Sequence, residues 1–178
     1  MSRFLILFGT TDGQTGKVAR FLADQLRAHG REVDLVEAGK DADPDPAGYS
    51  AVLVAASVHI GGYQRGVRRW VRDHANALRA KPNVFISVCL GVLQDDPKVR
   101  RELDEIVQRF VKETGWQPTR VKLVAGALPY SQYSWITKWV MRRIARKAGR
   151  ETDPHQDYEY TDWEDLRRFA AELTRETS

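Results

Sequence analysis

The chain opens on an uninterrupted apolar run, Phe4–Phe8, that leads straight into a hydroxyl- and glycine-rich turn, Gly9-Thr10-Thr11-Asp12-Gly13-Gln14-Thr15. An amphipathic helical pattern follows over 16–28, with Val18, Leu22 and Leu26 as its apolar row. A short run that is apolar at every position marks a strand covered on both faces, as in parallel sheets packed between helices. The strand–turn–helix order also brings backbone N–H groups and hydroxyls to the positive end of a helix dipole, where an anion is favoured. The turn is therefore a candidate phosphate cradle. It is not a nucleotide-triphosphate loop, because Gly16-Lys17 is followed by Val18 and Thr11 stands where the first glycine belongs. Nor is it a dinucleotide fingerprint, since Gly9 and Gly13 are too far apart. What remains, Thr10, Thr11, Asp12, Gly13, Gln14 and Thr15, suits one terminal phosphate held by hydrogen bonds. The plain alternative is a strand-to-helix connection capped by threonine.

The rest of the chain repeats the alternation. Strands are expected at Phe4–Phe8, Glu32–Val36, Ala51–Ala56, Val84–Val88 and Arg120–Ala125. Helices are expected at 16–28, 64–78, 97–114 and 162–175, with a weaker helix or turn within 40–50, where Pro44 and Pro46 break the pattern. Asp96 and Pro97 read as the cap and first residue of the 97–114 helix. Thr161-Asp162-Trp163-Glu164 reads as a capping box for the last one. Strands joined by single helices imply right-handed crossovers and a parallel sheet. The expected architecture is a doubly wound five-stranded α/β sheet in the order 2-1-3-4-5, with a long basic, aromatic insertion after strand five. At 178 residues and 42% apolar composition, a single domain is expected. No apolar run approaches a membrane span, no signal-peptide pattern opens the chain, and Cys89 is the sole cysteine. A cytoplasmic protein without an intrachain disulfide is the expectation.

In a sheet of that order ligands sit beyond the carboxyl ends of the strands, at the switch point. The loops after strands three and four would then flank the far end of whatever the phosphate cradle holds. Loop three is Ser57-Val58-His59-Ile60-Gly61-Gly62-Tyr63, and loop four begins Cys89-Leu90-Gly91-Val92. Their glycines and scarcity of charge fit the edges of a flat heteroaromatic ring, and Tyr63 reads as a stacking or helix-capping residue. Each could equally be a plain connection. His59 reads either as structural or as a proton acceptor, and no His, Cys or carboxylate cluster has metal-ligand spacing.

Charge is distributed unevenly. Between Thr114 and Arg150 there is no Asp or Glu, whereas Arg120, Lys122, Lys138, Arg142, Arg143, Arg146, Lys147 and Arg150 supply eight positive charges. With a net charge of +4, the remainder of the chain carries −4. Much of this segment, about 128–152, interrupts the passage from strand five to the last helix and contains Tyr130, Tyr133, Trp135 and Trp139. A connection this long is functional or disordered, and its aromatics argue against disorder. Aromatic and basic side chains together suit a membrane surface, and arginines also suit a ligand bearing carboxylates. A solvated helix packed on the body is the third reading. No recognised nucleic-acid module is present.

The turn after strand one resembles the FMN phosphate loop of flavodoxins, with Asp12 in place of a hydroxyl residue. Nearly end to end, the chain resembles the flavodoxin-type protoporphyrinogen oxidases, the menaquinone-dependent protoporphyrinogen IX dehydrogenases of bacteria. The residues that carry this are Leu5-Ile6-Leu7-Phe8, Asp12-Gly13-Gln14-Thr15, Ala56-Ser57, Gly61 and Tyr63 in the first half. Trp116-Gln117-Pro118, Ala125-Gly126-Ala127-Leu128, Tyr130, Tyr133, Trp135, Gly149, Glu151-Thr152-Asp153 and Tyr160-Thr161-Asp162-Trp163-Glu164 continue it. The resemblance implies an FMN enzyme of haem synthesis that converts protoporphyrinogen IX to protoporphyrin IX. Electrons would pass to a membrane quinone, menaquinone or ubiquinone, with the protein held peripherally on the inner face of the cell membrane. On this reading residues 10–15 hold the FMN phosphate, 57–62 and 89–92 border the ring, and His59 is the candidate base. The resemblance also implies that Tyr130, Tyr133, Trp135, Lys138, Trp139, Arg142, Arg143 and Arg146 meet substrate or membrane. An FMN-dependent quinone reductase and a flavodoxin-like electron carrier are the alternatives on the same fold. Two departures from the family touch the substrate side: loop three lacks an Arg-Tyr pair, and Asp95 and Asp96 stand where a more basic stretch is expected.

Overall fold

The computed structural model describes residues 2–40, 43–59, 61–128 and 158–177. Five parallel strands form the central sheet: β1 (Arg3–Gly9), β2 (Glu32–Glu37), β3 (Ala51–Ser57), β4 (Asn83–Cys89) and β5 (Arg120–Ala125), in the order β2-β1-β3-β4-β5. The helices are α1 (Gln14–Ala28), α2 (Arg65–Arg79), α3 (Pro97–Thr114) and α4 (Trp163–Glu176). The expected order and all five strands are present. The weak pattern within 40–50 yields only a short 3-10 turn, Pro46–Gly48, opened by the Asp45 carboxylate accepting from the Ala47 N–H. A second 3-10 turn, Leu90–Leu93, was not expected.

The continuous apolar run of β1 resolves into two faces. Phe4, Ile6 and Phe8 pack with Val18, Leu22 and Leu26 of α1 and with Leu166 and Phe169 of α4. Leu5 and Leu7 pack on the opposite side with Val67, Trp70 and Val71 of α2 and with Val107 and Phe110 of α3. On that second side an aromatic cluster ties the layers together. Phe85 of β4 stacks on Phe110 with ring centroids 4.6 Å apart, and Tyr63 meets both edge-on at 5.0 and 5.1 Å. Trp116, fully buried, closes the cluster edge-on against Phe85 at 5.9 Å. Offset and edge-to-face pairs of this kind add to the burial of large rings.

The helix caps explain the observed boundaries. Asp96 accepts from the Lys98 N–H and Pro97 opens α3, as its sequence indicates. Helix α4 departs from the expected box: Asp162, not Thr161, is the cap, its carboxylate accepting from the Asp165 N–H at 2.9 Å. Thr161 is instead buried and donates to the Ala125 carbonyl at 2.8 Å. Beyond β5, the short strands β6 (Ala127–Leu128) and β7 (Tyr158–Glu159) pair antiparallel, so residues 128 and 158 lie side by side at the carboxyl end of the sheet. No helix among the described residues is long and apolar enough to cross a membrane.

Phe85 is the residue on which the aromatic cluster converges, so its removal tests the second core directly. Phe85→Ala should lower the unfolding free energy by about 3–5 kcal/mol in a urea titration. A loss below about 1 kcal/mol would mean that the cluster does not support the sheet.

Candidate functional site

The strand register brings Gly9 of β1 level with Ala56 of β3, and Ser57 level with Val88 of β4. The loops that follow these strands therefore emerge along one rim, and the topology reverses between β1 and β3. Gly9 itself allows a close approach there: a Cβ would stand 2.6 Å from Val67 Cγ2 and 3.0 Å from Gln64 Cβ.

In the first loop, Gly13 caps α1 in the left-handed region, with φ 86°. Its N–H donates to Thr10 Oγ1 at 2.9 Å, which closes the turn. Thr10 and Thr11 serve as acceptors in this arrangement, Thr11 Oγ1 receiving a hydrogen bond from Gln64 Nε2 at 3.0 Å. Each hydroxyl keeps its own proton for an incoming acceptor. Thr15 is buried, and its Oγ1 has no hydrogen-bond partner. A buried hydroxyl left unpaired is costly, and here it sits in the first turn of α1 beside N–H groups that helix geometry leaves unused. A phosphate monoester would satisfy both, so the donor set fits such a group. Asp12 lies half-buried in the bend.

Gln14 opens α1, so that its N–H faces the turn while its side chain bonds elsewhere. Its side chain is buried and turned away from the loop, with Nε2 donating to Thr161 Oγ1 at 2.9 Å. Since Thr161 also holds the Ala125 carbonyl, the start of α1 is tied to the end of β5. A second tie runs alongside: Lys17 Nζ pairs with Glu159 Oε2 at 3.2 Å, and Trp163 Nε1 donates to Glu159 Oε1 at 2.8 Å. Burial works to raise the Glu159 carboxyl, but hydrogen bonds from Trp163, Lys17 and Gln14 outweigh it and hold the group below the usual carboxylate range. These ties set the base of the 128–158 connection beside the cradle. Tyr130, Tyr133, Trp135, Lys138, Trp139, Arg142, Arg143 and Arg146, and Ile60 of loop three, lie outside the described residues.

Gln64 is the rim residue that the sequence did not reveal. Its Nε2 reaches Thr11 Oγ1 and also Ser57 Oγ at 2.6 Å, while its Oε1 accepts from the Ser57 N–H at 3.2 Å. One amide thus bridges loops one and three across the switch point. Gln64 occupies the cap position of α2 yet makes no capping bond; glutamine at a cap is the one signal available in the sequence.

In loop three, His59 and Gly62 exchange backbone hydrogen bonds of 2.8 and 3.1 Å, with Gly61 at φ 73°. His59 is exposed, Gly62 half-buried, and Val58 continues the ladder by donating to the Val88 carbonyl. Tyr63 neither stacks at the rim nor caps a helix. It is buried, with its hydroxyl bonded to Ser87 Oγ at 2.8 Å, and burial pushes its pKa up to about 12 against the opposing effect of that bond. In loop four, Cys89 is buried and Gly91 packs on α3, where a Cβ would meet Leu103 and Val99 at 3.3 Å. Burial raises the Cys89 thiol to about 11, with backbone N–H groups of Val92 and Gly91 only partly offsetting it. Burial thereby favours the neutral thiol at neutral pH. Leu90 is half-buried, whereas Val92 presents its side chain to solvent, 36% exposed. The rim can hold an anion at one end and offer glycine backbone and aliphatic surface at the other.

Residues 5–155 match the flavodoxin domain. Over 173 residues the chain is 34% identical to protoporphyrinogen IX dehydrogenase (quinone) of Escherichia coli strain K12, covering 97% of this chain and 95% of the relative. It is 32% identical to the protein of the same name from Leishmania major, covering 95% of this chain and 73% of the relative. Among solved structures, oxidised flavodoxin 1 of Bacillus cereus superposes with a TM-score of 0.58 at 15% identity, covering 98% of each chain, which shows a common fold. The chain belongs to the flavodoxin domain family, and within it to the family of the quinone-linked protoporphyrinogen IX dehydrogenases.

Proposed function

We propose that this protein is an FMN-dependent dehydrogenase that converts protoporphyrinogen IX to protoporphyrin IX and passes the electrons to a quinone. The observation that carries the reading is the 34% identity over 97% of the chain to an enzyme named for that reaction. A rim whose donor set fits a phosphate monoester supports it. When bound, FMN supplies the two-electron acceptor for each dehydrogenation.

The chain's own residues hold and orient. Thr10, Thr11 and Thr15 donate their hydroxyl protons to the phosphate, joined by the N–H groups that open α1, and the helix dipole favours the charge. The glycine at 13 gives the turn its left-handed corner. Residues 57–62 and 89–92 would border the ring, with the exposed Val92 offering it aliphatic surface. Each of three oxidations removes a hydrogen with its electron pair from a ring-bridging carbon while a proton leaves a pyrrole N–H, and a proton shift from the fourth bridging carbon to a ring nitrogen completes the product, with four methine bridges and two N–H groups. His59, exposed on the same rim, is the residue to accept the pyrrole proton, directly or through water. Membrane menaquinone or ubiquinone is the acceptor. The basic, aromatic segment, with Tyr130, Tyr133, Trp135, Lys138, Trp139, Arg142, Arg143 and Arg146, holds the enzyme peripherally on the cytoplasmic face of the membrane, where cations meet anionic lipid.

The purified protein, loaded with FMN and mixed anaerobically with protoporphyrinogen IX and a menaquinone analogue, should produce porphyrin absorption as the quinone is reduced. A stable one-electron flavin signal without porphyrin formation would favour an electron carrier instead. Deletion of 129–152 should leave FMN bound and abolish quinone-linked turnover; retained turnover would contradict the role given to that segment. Thr15→Val should raise the FMN dissociation constant by about tenfold or more, the cost of one hydrogen bond to a charged group. The thermal midpoint of the FMN-free protein should not fall, because the deleted hydroxyl has no partner there. Unchanged FMN affinity in a fluorescence titration would remove Thr15 from the cradle.

A further inference from the structure

The turn joining His59 to Gly62 has a second side. Between it and α3 lies a cavity of about 270 Å³ bordered by His59, Tyr63, Arg68, Arg109, Phe110 and Glu113. Beneath it lie the rings of Tyr63 and Phe110, both buried. Its wall is cationic. Arg109 reaches back from α3 to the Gly61 carbonyl at 3.4 Å, a long bond that engages one of its five N–H donors. Arg68 pairs with Glu113 at 3.3 Å, and its Nε is buried without a partner. Two guanidinium groups thus line the cavity against one carboxylate, that of Glu113, which leaves it a surplus positive charge. Arg68 also stands in the first turn of α2, where the helix dipole disfavours a cation. Helix stability does not account for it there.

We infer that this cavity is a carboxylate subsite, in which Arg109, with Arg68 beside it, receives one acidic arm of the substrate. Planar guanidinium forks match a carboxylate at two points, which a lysine cannot reproduce. The volume is below the roughly 300 Å³ at which pockets for whole small molecules begin. It takes an arm, while the body of the ligand lies over the rim. The inference rests on the substrate reading above: a porphyrinogen carries propionate arms, and a carboxylate is the group that this cationic wall receives.

The test uses the FMN-loaded protein and measures equilibrium binding of protoporphyrin IX and of its dimethyl ester by porphyrin fluorescence, beside steady-state turnover of protoporphyrinogen IX. The wild type should bind the diacid about tenfold more tightly than the ester. Arg109→Gln should abolish that preference by weakening the diacid alone, and should raise KM with kcat retained. Arg109→Lys should keep part of the preference. Arg72→Gln, an exposed arginine of α2 outside the cavity, should leave it intact. FMN affinity and thermal midpoint should be unchanged in Arg109→Gln, whose side chain is exposed. The inference is overturned if Arg109→Gln keeps the wild-type preference, if diacid and ester weaken together, or if the wild type binds neither. A preference that depends on Arg109 without any turnover would instead overturn the reaction and leave the subsite standing.

Discussion

Two-sided burial of β1 is the constraint from which the rest of the molecule follows. A strand apolar at every position must be covered on both faces, which requires helices on both sides and hence crossovers and a parallel sheet. Parallel strands joined by helices end together, so the loops after β1, β3 and β4 share one rim. The rim is therefore a product of the core. Its position is fixed by Phe4, Ile6 and Phe8 on one face and Leu5 and Leu7 on the other, none of which takes part in the chemistry.

Along the rim, the side chains proposed to bind the cofactor also shape the loops that carry them. Thr10 shapes its turn by accepting from Gly13 and keeps a proton to give away. Gln64 joins the first and third loops through Thr11 and Ser57. Gln14 and Lys17, one buried and one exposed, fasten the same helix to Thr161 and Glu159. This last pair of links matters because the long basic connection leaves and returns at residues 128 and 158, next to Glu159. The cradle and the base of that connection are mechanically one assembly.

Topology was legible in the sequence because it depends on periodicity, and the period of each apolar run survives into the fold. Helix α3 announced its start through Asp96 and Pro97, whose capping chemistry is local. The cap of α4 was misread by one residue: Thr161 and Asp162 are both good caps, and a bond to Ala125, far away in sequence, decides between them. Tyr63 was read as a rim residue because it ends a glycine-rich loop, yet Phe85 and Phe110 draw it inward. Gln14 lay in the expected loop but points elsewhere, and Gln64 was passed over. In each case the deciding partner comes from another strand or helix, and one-dimensional spacing carries no trace of it. The hydroxyl of Thr15 stands apart, since the sequence indicated the residue while only the fold reveals that its oxygen lacks a partner.

Cys89 has a consequence of its own. It is the one sulfhydryl of the chain, and it ends β4, whose loop is proposed to border the flavin ring. A sulfur whose proton is held to about pH 11 reacts slowly with peroxides, because the attacking species is the anion. Enclosure by the protein thus disfavours the anion through which sulfenic acid and mixed disulfides would form at this position.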